Sequence, residues 1–344
     1  MTVLMPPPTI DTRVRATSFP VLVGVELRRL WWRRLTKVVL LAALVVTGVT
    51  VYTAYVMTTP AAIAQGMDLF EQQVADFPQH LAECRQAQQS ARDAGETGAD
   101  FGCEQMQAPT PENFGIASPL PAAVLGGLLQ TNGPFYSLLA FLLGASFVAA
   151  EFTTGSLGTW LTFQPRRLRV GLSKLGAAVG GGVVVAATGF SLAALGSWLI
   201  GIVNRPDAQL GTALTTDLGE PLAPLLLRHV VVIMSAGALG AALALIARNT
   251  SAVVGLAVGY GIVVEGVLAQ GVSHGRLTPW LVSPNLTGFL QRGITYPVER
   301  CTGSAACEYV TQTLSYTHSW IYLSALVVVL TTLALVSFRR RDVS

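Results

Sequence analysis

Side chains that could carry acid–base, nucleophilic or metal chemistry are few in this sequence, and no motif brings them together. The four histidines are scattered, without an HExxH pair or any other metal-ligand spacing. The chain has no GxSxG nucleophile elbow and no GxxxxGKS/T phosphate-binding loop. We therefore expect no catalytic residue, no metal site and no cofactor on this chain. A nucleic-acid partner is not expected either, because the sequence has no soluble basic domain.

The composition indicates which solvent surrounds most of the chain. Its mean hydropathy is +0.54, with 51% hydrophobic and only 12% charged residues, which argues for a bilayer. A helix needs about 20 apolar residues to cross roughly 30 Å of hydrocarbon. Six such runs predict an all-α polytopic membrane protein with six transmembrane helices. The runs are Val38–Met57, Pro134–Phe152, Leu172–Val203, Leu225–Ile246, Ser251–Gln270 and Ser319–Phe338.

Arginine and lysine distinguish the two sides of the membrane, because the cytoplasmic flanks of spans carry an excess of these residues. Most of the 22 bases fall before the first run, between the second and third runs, or after the last run. Both termini are therefore predicted to be cytoplasmic. The excess of arginine over lysine is typical of a GC-rich bacterial genome, so the expected location is a bacterial plasma membrane.

All four cysteines fall in segments that the charge pattern places outside the cell. Cys84 and Cys103 lie in the first outer loop, and Cys301 and Cys307 lie in the last. Disulfides persist outside the reducing cytosol, so all four residues are disulfide candidates. Local pairing is the simplest of the three connectivities, and four unpaired thiols are the alternative.

The stretch before the first span, FPVLVGVELRRLWWRRLTK, mixes tryptophans and apolar residues with arginines. This mixture is typical of a helix in the membrane interface, and a plain basic flank is the alternative. The candidate interfacial residues are Glu26, Arg29, Trp31, Trp32 and Arg33. The expected segments are a flexible cytoplasmic tail (1–18), this interfacial helix (19–36), the first span (37–58), an extracellular domain (59–133) and the other five spans (134–344), which include an outer loop at 271–318.

The first outer loop is too long for a simple connector, so it predicts a small domain or a lid. Its apolar residues recur at steps of four and three from Ile63 to Cys84. This is the pattern of a helix with one apolar stripe, interrupted or restarted at Pro78. A Cys84–Cys103 disulfide would staple the end of this helix to the following turn and contribute roughly 3 kcal/mol.

Glu265 is the one acid well inside an apolar run. A carboxylate within a span usually faces a cavity or a partner, so Glu265 is a candidate for a translocation path. In the alternative it lies at the outer interface or pairs with a neighbouring group, for which Arg228 and His229 are the candidates.

Residues 149–175, AAEFTTGSLGTWLTFQPRRLRVGLSKL, form a polar stretch between two apolar runs. If Glu151–Phe163 is a helix, steps of about 100° separate an apolar face from a small, polar face. The apolar face would rest on the inner membrane surface, and the small face would let another protein approach the backbone. A plain connector is the alternative. The apolar face holds Phe152, Leu157, Trp160, Leu161 and Phe163, and the small face holds Thr154, Gly155, Gly158, Thr159 and Thr162.

Four features in chain order resemble the permease subunits of type 2 ATP-binding-cassette (ABC) exporters. They are ELRRLWWRRLTK before the first span, EFTTGSLGTWLTFQPRRLRVGLSKL between the second and third spans, the six spans, and the closing FRRRDVS. The resemblance implies that Glu151–Gln164 is a coupling helix that docks on a separate ATPase. The residues implied in this coupling are Glu151, Thr154, Gly155, Gly158, Thr159, Arg166 and Arg167.

The resemblance also implies an assembly and an activity. Two permeases, identical or different, would combine with two copies of an ABC ATPase, and ATP and Mg²⁺ would bind on those ATPase subunits. The assembly would export an amphiphile such as a lipid, a peptide or a drug-like molecule, in contact with membrane lipid, and this chain itself would not be an enzyme. The long outer loop leaves a second possibility open, a sensor or mechanotransmission permease whose extracellular domain is moved by ATP hydrolysis.

Overall fold

The computed structural model describes residues 18–95, 101–163, 166–204, 221–301 and 307–340. Nearly all of the expected tail (1–18) lies outside the described residues, as does the end of the closing FRRRDVS. The described helices are α1 (Phe19–Trp31), α2 (Arg34–Met57), α3 (Pro60–Asp93), α4 (Pro121–Thr153), α5 (Ser156–Phe163), α6 (Arg167–Val203), α7 (Leu222–Ala247), α8 (Thr250–Gly259), α9 (Val282–Leu290) and α10 (Tyr316–Arg340). A π-helical segment (Tyr260–Val272) continues α8, and strands β1 (Gly293–Cys301) and β2 (Cys307–Ser315) form a hairpin.

Six helices in the described part of the chain are long and apolar enough to cross a membrane, as the six apolar runs predict. They are α2, α4, α6, α7, α8 with the first part of the π segment, and α10. The molecule is therefore a predominantly helical, polytopic membrane protein.

The centre of the bundle is formed by α4, α6 and α7. In the most apolar stretch of α4, 61% of the residues are buried, whereas the corresponding share in α10 is 11%. The backbones of α4 and α7 touch at two glycines: a Cβ atom on Gly144 would lie 2.1 Å from the carbonyl oxygen of Gly237, and one on Gly240 would lie 2.1 Å from that of Phe141. Small residues at such crossings allow helices to pack closely in a bilayer, so these glycines determine the spacing of the central helices.

The two ends of the bundle differ. At one end, here called the α5 end, α5 connects α4 to α6, and Phe152 at the end of α4 contacts Phe338 near the end of α10. Arg248, which follows α7, stacks over the same Phe152 ring at 5.4 Å. The opposite end, here called the hairpin end, carries α3, α9 and the β-hairpin. After α4, the chain crosses between the two ends in α6, in α7, in α8 with its π segment, and in α10.

Two helices pass through prolines that the sequence suggests as boundaries. The second span begins at Pro121 and not at Pro134, so the loop before it is shorter than the expected 59–133. Likewise, α3 continues through Pro78 without a restart. A proline removes one backbone hydrogen bond, and the apolar or helix-forming residues on both sides are sufficient to continue each helix.

A β-hairpin in the loop before the last span is an addition to the expected all-α fold. β1 and β2 pair antiparallel, and Tyr296, Val298 and Leu314 form a small buried cluster. The apolar residues of β1 alternate with polar ones, which is the period of a strand with one buried face. The strand register places the Cα atoms of Cys301 and Cys307 opposite each other. Their side chains lie outside the described residues, so this disulfide stays a prediction.

The helix α3 has 34 residues, about 50 Å, and most of its length projects from the hairpin end. It meets the rest of the chain at its base, where Phe70 contacts Phe114 edge to face at 5.8 Å and Gly66 lies under Ile116. Further along, Cys84 and Cys103 form a disulfide with a Cα–Cα distance of 5.8 Å, which confirms that predicted pair.

The close approach of α4 and α7 generates a prediction. Gly144→Ala should lower the free energy of unfolding by about 1–3 kcal/mol, because its Cβ atom would overlap the Gly237 carbonyl oxygen. The matched control is Gly127→Ala on the same helix, where a Cβ atom meets nothing within 4 Å. Thermal unfolding in detergent measures both, and equal stability of the two variants would contradict the backbone contact.

Candidate functional site

The helix between the second and third spans is shorter than predicted. Glu151–Gln164 was expected to form one helix, but α4 extends to Thr153 and α5 begins only at Ser156. Gly155 separates them with φ of +69°, a conformation that glycine adopts without strain. Gln164 lies outside the described residues. The break gives α5 a different direction from α4, so Glu151 belongs to the end of a span and not to the connecting helix.

Within α5 the division into two faces agrees with the sequence pattern. Leu157 is fully buried in the core, and Trp160 and Leu161 are half-buried. On the opposite side, Thr159 and Thr162 are exposed. The chain before α5 adds two exposed residues to this surface, Thr154 and Gly155, while Gly158 on α5 is half-buried with nothing within 4 Å of where a Cβ atom would lie.

A buried ion cluster lies directly behind α5. The ammonium group of Lys174 on α6 is fully buried and donates hydrogen bonds to Glu26 of α1, at 3.1 Å, and to Glu151 of α4. Glu26 is fully buried and Glu151 is 3% exposed. Three separate helices are therefore joined by one lysine, which we call the Lys174 cluster together with its two carboxylates.

Arg29 extends the Lys174 cluster to α5. Its guanidinium lies 3.7 Å from Glu26 and 3.5 Å from Glu151, so two bases balance the two buried acids. The same guanidinium stacks over the ring of Trp160 on α5 at 5.4 Å. A continuous series of contacts thus leads from α5 through Arg29 to the acids and to Lys174.

Arg33 joins α1 and α2 to the same region. Its Nη1 donates a hydrogen bond to the carbonyl oxygen of Ser146 at 3.0 Å, and its guanidinium lies 5.1 Å over the Phe147 ring. Burial lowers the pKa of Arg33 from its ordinary value, and the negative charge of Glu151 opposes this shift. The arginine side chain is effectively always charged in proteins, so Arg33 adds positive charge beside the cluster.

The helix α1 lies against α6 and not only along the membrane interface. Leu27 occupies the space above Gly180, where a Cβ atom would meet its side chain at 2.5 Å. The small residues of α6 thus receive α1, which directs Glu26 at Lys174. At the end of α1, Trp31 and Trp32 are 51% and 68% exposed. From these positions the two rings can reach the headgroup layer.

The expected coupling residues therefore divide into two sets. Thr154, Gly155, Gly158 and Thr159 lie on the surface side of the α5 region, and Arg166 is exposed at the start of α6 beside the half-buried Arg167. In contrast, Glu151 faces inward to Lys174, so its side chain is not available to a docked protein.

Lys174 itself is absent from the site residues that the sequence suggests. It is one of two lysines among 22 bases and lies near the end of the stretch that resembles the coupling segment. The available signal was the pair of acids, Glu26 and Glu151, each in a stretch of apolar and basic residues. A buried acid requires a buried base, and Lys174 is a base within a strongly apolar helix.

Glu265 is held by α9, and not by Arg228 or His229. Its Oε1 accepts hydrogen bonds from the backbone N–H groups of Val282, at 2.9 Å, and Ser283, at 3.0 Å. The Ser283 hydroxyl donates to the other oxygen. Glu265 therefore caps the first turn of α9, where a negative charge is favourable.

No protein-family model matches this chain, and no curated protein matches it either. Among the described residues, no group of three or more His, Cys, Asp and Glu could hold a metal ion. The features that point to a function are the sequence motifs and the geometry of the α5 end.

The Lys174 cluster generates a prediction. Lys174→Met leaves two buried carboxylates without their main partner, so the free energy of unfolding should fall by about 3–5 kcal/mol. The matched control is Lys37→Met, because Lys37 is exposed and is the other lysine of the chain. Both are measured by thermal unfolding in detergent.

A rescue variant separates the charge effect from a packing effect. Adding Glu26→Gln and Glu151→Gln to Lys174→Met removes the unpaired charges and should recover part of the lost stability. If Lys174→Met unfolds at the same temperature as Lys37→Met, the ion cluster does not join the three helices.

Proposed function

We propose that this chain is the membrane-spanning subunit of a type 2 ABC exporter and that α5 receives force from a separate ATPase subunit. The observation that carries the proposal is the combination of a short helix with a small exposed face and a buried ion cluster directly behind it. A plain connector between two spans requires neither. The resemblance of EFTTGSLGTWLTFQPRRLRVGLSKL to the coupling segment of this family supports the same assignment.

The exposed side of the α5 region suits close approach by another protein. A Cβ atom added at Gly155 or Gly158 meets nothing within 4 Å, so the backbone lies open at both positions. Thr154 and Thr159 add short hydroxyl side chains, and the adjacent Arg166 supplies an exposed positive charge. A partner with a shallow cleft and acidic groups near its rim would complement this surface.

The contacts behind α5 offer a route by which displacement could reach the spans. Leu157 anchors α5 in the core, and Trp160 contacts Arg29. Arg29 in turn contacts Glu26 and Glu151, which both contact Lys174. Closure of two ATPase subunits would then move α1, α4 and α6 together, as a rigid-body shift and not as local bending.

This function implies an orientation and an assembly. The α5 end would face the cytoplasm of a bacterial cell, with both termini on that side, and α3 and the hairpin would face outward. Two ATPase subunits, carrying ATP and Mg²⁺, would dock on two permeases, either identical or different. The exposed apolar faces of α2, α8 and α10 are available to lipid, to the second permease and to an amphiphilic substrate.

The docking role of α5 generates a prediction. Gly158→Leu and Thr159→Arg should each reduce co-purification of an ABC ATPase from the host cell by about tenfold, because both side chains project into the space a partner would occupy. Gly155 is unsuitable for this test, since its φ of +69° makes any substitution strained.

The matched control is Gly48→Leu. A Cβ atom on Gly48 also meets nothing within 4 Å, but Gly48 lies in the middle of α2, where a soluble ATPase cannot reach it. Co-purification should be unchanged in this variant. If the α5 variants assemble with the ATPase and sustain normal ATP turnover, α5 is not the coupling helix.

A second candidate function is favoured by α3. This disulfide-stapled helix is far longer than its contacts with the rest of the described chain require, and Val74 on its apolar stripe is 43% exposed. In a mechanotransmission permease, ATP hydrolysis would move α3 so that it acts on an extracellular partner.

A deletion separates the two candidates. Replacing residues 71–110 with a short Gly-Ser linker retains the Phe70–Phe114 and Gly66–Ile116 contacts at the base of α3. For an exporter, ATPase assembly and ATP turnover stimulated by an amphiphile should persist, as measured in reconstituted vesicles. For a mechanotransmission permease, assembly should persist while the extracellular response is lost. If the variant assembles correctly but an amphiphile no longer stimulates its ATP turnover, the exporter candidate is contradicted in the form in which export does not need α3.

A further inference from the structure

A cleft of about 740 Å³ lies at the hairpin end, between the π segment that follows α8 and the side of α9 and β1. This volume is in the range of sites that hold drug-sized molecules. The π-helical backbone is itself uncommon and is often found at functional sites. Two glycines of this segment, Gly261 and Gly266, line the cleft, and at these two positions the wall is bare backbone.

Glu265 places a carboxylate in the wall of the cleft. Two backbone N–H groups of α9 and the Ser283 hydroxyl hydrogen-bond this carboxylate. Oε1 accepts the two backbone hydrogen bonds and Oε2 accepts the one from Ser283, and the Tyr260 hydroxyl interacts with the same carboxylate. Among the described residues, no Lys or Arg lies within ion-pair distance of Glu265.

The other charged groups of the cleft are one histidine and one further acid. Nδ1 of His274 lies 2.5 Å from Oε2 of Glu299, so these two side chains contact each other. No Lys or Arg is among the described residues that line the cleft. Glu265 therefore sets the sign of the potential there, and that sign is negative.

The remaining wall is apolar and aromatic. Leu281 and Ile294 face the cleft together with Tyr296, whose ring is 9% exposed. Such walls bury the hydrophobic body of a ligand, while a single charged group orients it. Aromatic rings attract organic cations through their faces, and a carboxylate attracts them by its charge.

We propose that this cleft binds a monovalent organic cation carried on an apolar body, with Glu265 as the counter-charge and Ile294 and Tyr296 against the apolar part. Binding itself is independent of the proposed export function. The further statement that such lipophilic cations are the substrate class of the exporter rests on that function. It narrows the amphiphiles considered above to those with positive charge.

Direct binding to the isolated full-length chain tests the site. Radiolabelled tetraphenylphosphonium is the cationic probe, and triphenylphosphine oxide is its neutral counterpart of similar shape. The protein is placed in nanodiscs of phosphatidylcholine, and binding is measured by equilibrium dialysis. We expect saturable binding of the cation and none of the neutral probe.

Three variants locate the binding. Glu265→Gln retains the hydrogen bonds to α9 but removes the charge, and Gly261→Leu fills the cleft from a position where a Cβ atom meets nothing within 4 Å. Each should weaken binding of the cation about tenfold. Gly259→Leu is the matched control, because it is equally open but does not line the cleft, and it should bind as the unmodified chain does.

The site is overturned if the cation does not bind saturably, if the neutral probe binds equally well, or if either Glu265→Gln or Gly261→Leu retains full affinity. Should Glu265→Gln fail to fold, Gly261→Leu alone decides. Stimulation of ATP turnover by tetraphenylphosphonium in the assembled complex then tests the substrate class. If an ATPase assembles with the chain but the cation does not bind, the proposed cation site is wrong and the proposed export function stands. If the cation binds but no ATPase assembles, the cation site stands and the export function is wrong.

Discussion

The buried contact between Lys174 and the carboxylates of Glu26 and Glu151 is the constraint on which the α5 end depends. Three helices that are distant in the chain each contribute one charge, and none of the three can move away alone without exposing an unpaired charge to an apolar interior. Apolar contacts alone would hold the three helices less specifically, because the hydrophobic effect is not directional. The ion cluster therefore makes α1, α4 and α6 a single mechanical unit where α5 rests on them.

The hairpin end is built from weaker, hydrogen-bonded connections. Glu265 holds the start of α9, and from α10 the Tyr322 hydroxyl donates to the carbonyl oxygen of Trp280 at 2.8 Å, while His318 contacts that of Pro279 at 3.0 Å. Two of these three contacts are partly buried, and the fully buried Asn285 adds amide hydrogen bonds to the carbonyl oxygens of Pro279 and Leu281. The hairpin end is thus joined by hydrogen bonds, whereas the α5 end is joined by a buried ion cluster.

The sequence was sufficient for the elements whose signals are local. The six spans follow from apolar length, the two faces of α5 from helical period, and the Cys84–Cys103 pair from two cysteines that are close in the same loop. The sequence was insufficient where the outcome depends on a contact between distant residues. The inward direction of Glu151 depends on Lys174, and the capping role of Glu265 depends on α9. The β-hairpin was missed because its alternating pattern is short and lies in a loop between membrane helices.

The most direct test of the proposed coupling is site-specific photocrosslinking. A photoreactive residue replaces Thr159 on the exposed face of α5, and the chain is expressed in its host cell, where the ABC ATPases are detected by antibody or mass spectrometry. A second chain carries the photoreactive residue at Thr53, an exposed position of α2 nearer the hairpin end. The account predicts a crosslink to the ATPase from position 159 and none from position 53. Absence of the crosslink from position 159 in an assembled complex, or equal crosslinking from both positions, would contradict it.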